Sequence, residues 1–173
     1  VCLSSPFRYR FCSIHRLNYY NDEDIEKILA RSSTILNVPI EQTGISEIAK
    51  RARKTHRIAN RLLKRIRDFS QVKADGCVNE TIAQRALAMM EIDELGLDEI
   101  DRRLLLTMIE KFEGGPVGLS ALAASTSEER ETIEEVYEPF LMQIGFLART
   151  PRGRVVTNQA YSHLRLKPKN NQE

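Results

Sequence analysis

Apolar residues return every three or four positions along most of this chain, the spacing of helices that bury one face. In NDEDIEKILARSSTIL, Ile25, Ile28 and Leu29 fall on one side, behind a polar start at which Asn21 or Asp22 can cap the first turn. The pattern restarts after Pro39, where Ile45, Ile48 and Ala49 share a face, and again with Ile58, Leu62 and Ile66 at i, i+4 and i+8. A turn through Asp75 and Gly76 leads to a further helix capped by Asn79. Together these segments predict a small all-helical bundle over residues 21–91.

Beyond it, IDELGLDEID carries five carboxylates and a glycine, and reads as the joint before a second unit. LDEIDRRLLLTMIEKF predicts an amphipathic helix, EGGPVG a break, LSALAASTS a short helix and SEERETIEEVYEPFLMQIG a longer one. FLARTPRGRVVT then splits into two strand-like arms around Pro151 to Gly153, and NQAYSHLRL adds a last helical turn. Helix, turn, helix and hairpin in that order are the winged form of helix-turn-helix, here over residues 92–173. Residues 1–20 read as a Ser/Pro turn, an arginine-bearing segment and a short strand. The expected fold is therefore mainly α, two compact units in tandem with a β-hairpin wing on the second.

Composition narrows this picture only slightly. The 173 residues hold 26 Lys and Arg against 24 Asp and Glu, a formal net charge of +2, so charge distribution matters more than its sum. Cys2, Cys12 and Cys77 form no CxxC pair and suit a reducing compartment. His15, His56 and His163 lie too far apart to suggest a zinc site. No apolar run approaches the ~20 residues of a membrane span. The start, VCLSSPFRYRFC, has neither an initiator Met nor an apolar signal core, and reads as part of a longer cytosolic protein.

The charges are clustered. In RARKTHRIANRLLKRIR, residues 51–67, eight of seventeen side chains are cationic, several of them at a helix start whose dipole disfavours cations. A phosphate bound there resolves the conflict, accepting the free amides after Thr55 while neutralising Arg57, with Arg61 one turn further along the same face. A solvated basic face is the plainer alternative. At the hairpin tip, RTPRGR sets Arg149 and Arg154 on opposite arms with Arg152 between them, a group suited either to a nucleic-acid backbone or to an ordinary charged hairpin tip. The second helix of the winged unit, SEERETIEEVYE, carries six glutamates and one arginine, so it is unfit for a groove of DNA. If this unit touches DNA, the wing does it, and the acidic helix then faces solvent or a basic protein surface. Arg8 and Arg10 gain meaning only if a neighbouring subunit's phosphate lies within reach.

These segments carry a resemblance. LSSPFRYRF, KTHRIANRLLKRIRDFSQVKADG, LDEIDRRLLLTMIEKFEGGPVGLSALA and EERETIEEVYEPFLMQIGFLARTPRGR resemble, in order and from about Leu3 to Leu166, the bacterial RuvB family. Its members are hexameric AAA+ motors that drive branch migration of Holliday junctions in recombination and repair. The resemblance implies that residues 1–20 end a large ATPase domain, 21–91 form the small helical lid and 92–173 the winged-helix head. It casts Arg57 as the sensor arginine facing nucleotide phosphate in its own subunit. It casts Arg8 or Arg10 as the finger reaching the neighbour's ATP, with Arg10 at a nucleotide-contacting position. Tyr20 matches the nucleotide-contacting tyrosine at the domain junction, and Arg149 and Arg154 the DNA-contacting wing arginines, with Arg152 a further candidate. ATP or ADP with Mg2+ is the implied cofactor, its metal ligands lying outside this chain. Implied partners are double-stranded DNA at Holliday junctions, copies of the same protein in a hexamer, RuvA and RuvC, in the cytoplasm and without a membrane.

Two departures stand out: Lys54 and His56 replace the Gly and Pro that usually flank the threonine before the sensor arginine, and Cys12 stands where a glycine is usual. No GxxxxGK[ST] phosphate loop and no acidic magnesium motif occurs in the chain, so this portion alone is expected to be inactive as an ATPase. The competing expectations are a stand-alone winged-helix DNA-binding or regulatory module, and a protein-interaction adaptor using the acidic helix.

Overall fold

The computed structural model describes residues 19–167, so Arg8, Arg10, Cys12 and most of the predicted first strand lie outside the described residues. Helix α1 (Asp22–Ile35) starts at Asn21, whose side chain accepts from the Asp24 amide at 2.7 Å. This settles the choice between Asn21 and Asp22. Helix α2 (Gln42–Lys50) buries Ile45, Ile48 and Ala49 as the spacing requires. Helix α3 (His56–Lys73) buries Leu62, Leu63 and Ile66, and α4 (Glu80–Met89) is capped by Asn79 through the Ile82 amide at 2.9 Å. Their apolar faces meet in one core with Ile25, Leu29 and Leu87. Burial of Leu62 or Ile66 contributes ~1.5–3 kcal/mol each, so α3 is fixed by packing more than by its charge-laden sequence.

A second core gathers Leu104, Leu105, Met108, Leu122, Phe140, Leu141 and Phe146. Its first helix, α5 (Glu99–Phe112), opens on a reciprocal cap between Asp98 and Asp101. Next come α6 (Leu119–Thr126), then α7 (Arg130–Thr132), a π-helical turn (Ile133–Tyr137) and α8 (Glu138–Gln143). The long helix expected here is thus continuous but widened in its middle. Pro139 supplies the reason: it has no N–H for an ordinary helical bond, and its ring would crowd the carbonyl four residues earlier. The chain answers with a longer bond from the Glu138 amide to the Ile133 carbonyl.

Strands β1 (Leu147–Thr150) and β2 (Gly153–Val156) form the antiparallel wing, with Arg149 directly opposite Arg154, and α9 (Asn158–His163) closes the described chain. Val117 exchanges backbone hydrogen bonds with Arg154, both 2.9 Å, adding a third rung that the EGGPVG break did not announce.

Candidate functional site

The loop between α2 and α3 has an unusual backbone. Arg53 and Lys54 both adopt left-handed conformations, with φ of 50° and 53°. Thr55 follows in an extended conformation as the first cap of α3, but its hydroxyl donates to the Ala52 carbonyl at 3.3 Å and so caps none of the helix amides. Arg57 stands exposed in the first turn, without a protein partner among the described residues. Tyr20 arrives from the other side of the cleft. Its amide donates to the Lys54 carbonyl at 3.3 Å, and its ring meets His56 edge-on with centroids 5.9 Å apart. Tyr20, Lys54 and Arg57 thereby line one cavity of ≈ 440 Å³, framed by residues 19–20 and 54–58. Two residues singled out separately in the sequence, Tyr20 and Arg57, are brought together.

The wing distributes its arginines differently from expectation. Arg149 and Arg154 do share a face, but that face turns toward the acidic helical run. Arg154 is 8 % exposed, and its Nε and Nη2 donate to the two oxygens of buried Glu138 at 3.1 and 2.9 Å. Arg149 is half exposed and donates to Glu134 at 2.6 Å. That hydrogen bond holds the Glu134 carboxyl below its ordinary range. Arg154, expected to project with Arg149 toward phosphate, is instead a buried brace, because Glu138 already satisfies its fork. Arg152, at the exposed tip between the strands, carries no protein partner among the described residues. The acidic helix does face a basic protein surface: its own wing.

A third cluster joins the two units. Arg53 Nε donates to the Gly96 carbonyl at 2.9 Å, and Nη2 reaches Asp98 at 3.0 Å and bonds Asp101. The guanidinium lies 4.3 Å over the Phe140 ring. Burial raises Asp101, against the pull of the Arg53 charge and with the help of Asp98, to about 7. Gly96 sits at φ 87°, and a Cβ there would meet the Arg51 carbonyl at 2.8 Å, so the joint needs a glycine to let the two backbones pass.

Comparison with known families decides the lineage. Residues 20–93 match the RuvB AAA lid domain and residues 94–165 the RuvB C-terminal winged helix domain. The chain belongs to the RuvB family. It is 56 % identical over 171 residues to the Holliday junction branch migration complex subunit RuvB of Koribacter versatilis, covering 99 % of this chain and 48 % of that protein. The Chloroflexus aurantiacus protein of the same name is 59 % identical over 164 residues, 95 % of this chain and 47 % of that one. The chain thus spans about half the length of these relatives. A solved structure, the Thermotoga maritima RuvB Holliday junction branch migration motor, superposes with a TM-score of 0.90 at 51 % identity, over 95 % of this chain and 55 % of that chain.

Within the RuvB pattern, the Lys54 departure now has a physical meaning. At the position where the resemblance implies a glycine the backbone is left-handed, and this chain adopts that conformation with a side chain. His56 takes the first helical position, where proline fits because that amide has no helical partner to lose. Sequence reasoning missed Arg53, Glu134 and Glu138. Nothing local separates Arg53 from its cationic neighbours, whereas the dense carboxylates of both acidic runs were visible and only their partners were not.

Proposed function

We propose that this chain is the C-terminal portion of an ATP-dependent motor that moves Holliday-junction DNA, with residues 1–20 ending its large ATPase domain, 21–91 its lid and 92–173 its DNA-facing head. The observation that carries the nucleotide reading is the unpaired Arg57 meeting Tyr20 and Lys54 in one cavity at the entrance of α3. A nucleotide fits the donor set: two cations and uncapped helix amides for phosphates, and aromatic rings beside them. ATP would supply the phosphoanhydride whose hydrolysis drives the motor.

In this role Arg57 draws the phosphates to the start of α3, and the excess positive charge there ceases to oppose the helix dipole. Lys54 adds a flexible cation, and Tyr20 closes the cavity from the domain junction. Among the described residues no cluster of His, Cys, Asp or Glu is suited to a metal, and Mg2+ is assigned to ligands outside this chain. Arg8 or Arg10 is proposed to reach the neighbouring subunit's nucleotide in a homohexamer. The wing is proposed to contact duplex backbone through Arg149 and Arg152, with Arg154 holding the hairpin in place. RuvA and RuvC are the proposed partners at the junction. No described helix is long and apolar enough to cross a membrane.

In the complete protein, Arg57→Ala is expected to lower ATP turnover at least ~10-fold, as for a lost charge stabiliser at a reacting phosphate. A steady-state assay at saturating ATP checks this, and turnover at the native rate would remove Arg57 from the site.

A further inference from the structure

The loop that forms one wall of the nucleotide cavity is held from its other side by Arg53, with Arg51 adding a bond to the Asp93 carbonyl at the start of the joint. Arg53 immediately precedes Lys54, yet its side chain enters the head rather than the cavity and is 8 % exposed there. All of its partners belong to the head or the joint leading to it: the Gly96 carbonyl at 2.9 Å, Asp98 at 3.0 Å, Asp101 and the Phe140 ring. Asp98 and Asp101 are the reciprocal cap of α5. Phe140 lies two residues beyond Glu138, which grips Arg154 of the wing. One guanidinium therefore connects the backbone beside Arg57 to the two helical elements that seat the hairpin.

The connection is stiff for two physical reasons. Arg53 and Lys54 are consecutive left-handed residues, so a change of dihedral angle at either swings the Arg53 side chain as a whole. That side chain cannot leave without stranding two carboxylates, one of them fully buried, in a site with no other cation in contact among the described residues. A loop that shifts on meeting phosphate must drag the head with it or break the pair.

We propose that Arg53 is a positioning residue, the strut by which the lid loop at the nucleotide cavity and the wing-bearing head move as one body. Nucleotide-dependent motion then reaches DNA as displacement of the wing. This rests on the motor reading proposed above, while the mechanical claim concerns only this chain's own residues.

The test uses the complete protein with its native cysteines replaced by serine and spin labels at Lys64→Cys in the lid and Glu129→Cys in the head, both exposed positions. The native protein should give one narrow label-to-label distance distribution. Arg53→Ala should broaden it about twofold or more and raise the ATP consumed per base pair migrated roughly tenfold, with KM for ATP within about twofold of native. Arg53→Lys keeps the charge but neither the fork nor the stacking, and should fall between the two. A native-width distribution with native coupling in folded Arg53→Ala overturns the strut. Should Arg53→Ala not fold, Arg53→Lys decides by the same measurements: intermediate broadening supports the strut, and native width with native coupling overturns it. A native protein inert toward ATP overturns the motor reading instead, and the distance distributions still judge the strut.

Discussion

Lys54 shows how much one residue position can hold. Its left-handed backbone costs a side-chain-bearing residue ~1–2 kcal/mol, and glycine would pay only part of that back in chain entropy. Lys54→Gly is therefore expected to raise thermal stability by about 0.5–1 kcal/mol while weakening binding of an ATP analogue, because a cation leaves the cavity. Calorimetric melting and a titration with the analogue should move in opposite directions. That Lys54 stands in place of a glycine was implied by the family resemblance alone. Its backbone conformation was not legible, since lysine carries no local signal for positive φ. The same holds for Arg53, whose role comes from carboxylates more than forty residues away.

At the scale of elements, helices were the most legible feature because each follows a 3.6-residue apolar repeat, and Asn21 and Asn79 mark their starts with side-chain caps. The hairpin was also readable, with Arg149 and Arg154 on opposite arms, but its register was not: Gly153 belongs to β2 and pairs with Thr150, a turn one residue tighter than expected, which sets Arg149 opposite Arg154. What the repeat could not show is the widened turn before Pro139 or the carboxylates it aims at the hairpin. This divides the wing arginines into two kinds. Arg154→Ala leaves buried Glu138 with only the longer 3.7 Å contact to Arg149 and should destabilise the head by up to about 3 kcal/mol in chemical denaturation. Arg152→Ala should change stability by less than ~0.5 kcal/mol, yet weaken duplex binding evenly across sequences. Equal stability losses in the two variants would contradict the division.

Across the whole molecule, two cores meet at a polar joint in which Arg51 donates to the Asp93 carbonyl at 3.1 Å and His163 contacts Asp93 at 2.7 Å. Arg51 is itself held by Glu47 at 2.7 Å. Burial alone would raise the Glu47 carboxyl, but hydrogen bonds from Lys50, Arg51 and Gln84 outweigh it and bring it down to about 2. A carboxyl lowered on folding contributes stability above its unfolded value near 4.5 and loses it as pH falls through about 2. Native protein should thus lose on the order of 3 kcal/mol between these limits, and Glu47→Gln should flatten that part of a stability-versus-pH curve. The division into two units was legible from the acidic joint. The contacts across the joint were not, because they depend on side chains converging from both cores.

One consequence follows from Arg149 and its carboxylate partner. If the wing contacts duplex as proposed, the duplex meets a guanidinium that already carries Glu134, so phosphate must displace a tethered anion from its own domain. Fewer mobile ions pass to bulk solution for each arginine engaged, and the affinity will depend on salt less steeply than a tally of wing arginines implies. On the motor reading proposed above, Glu134 is in place to take the arginine back each time a duplex moves on.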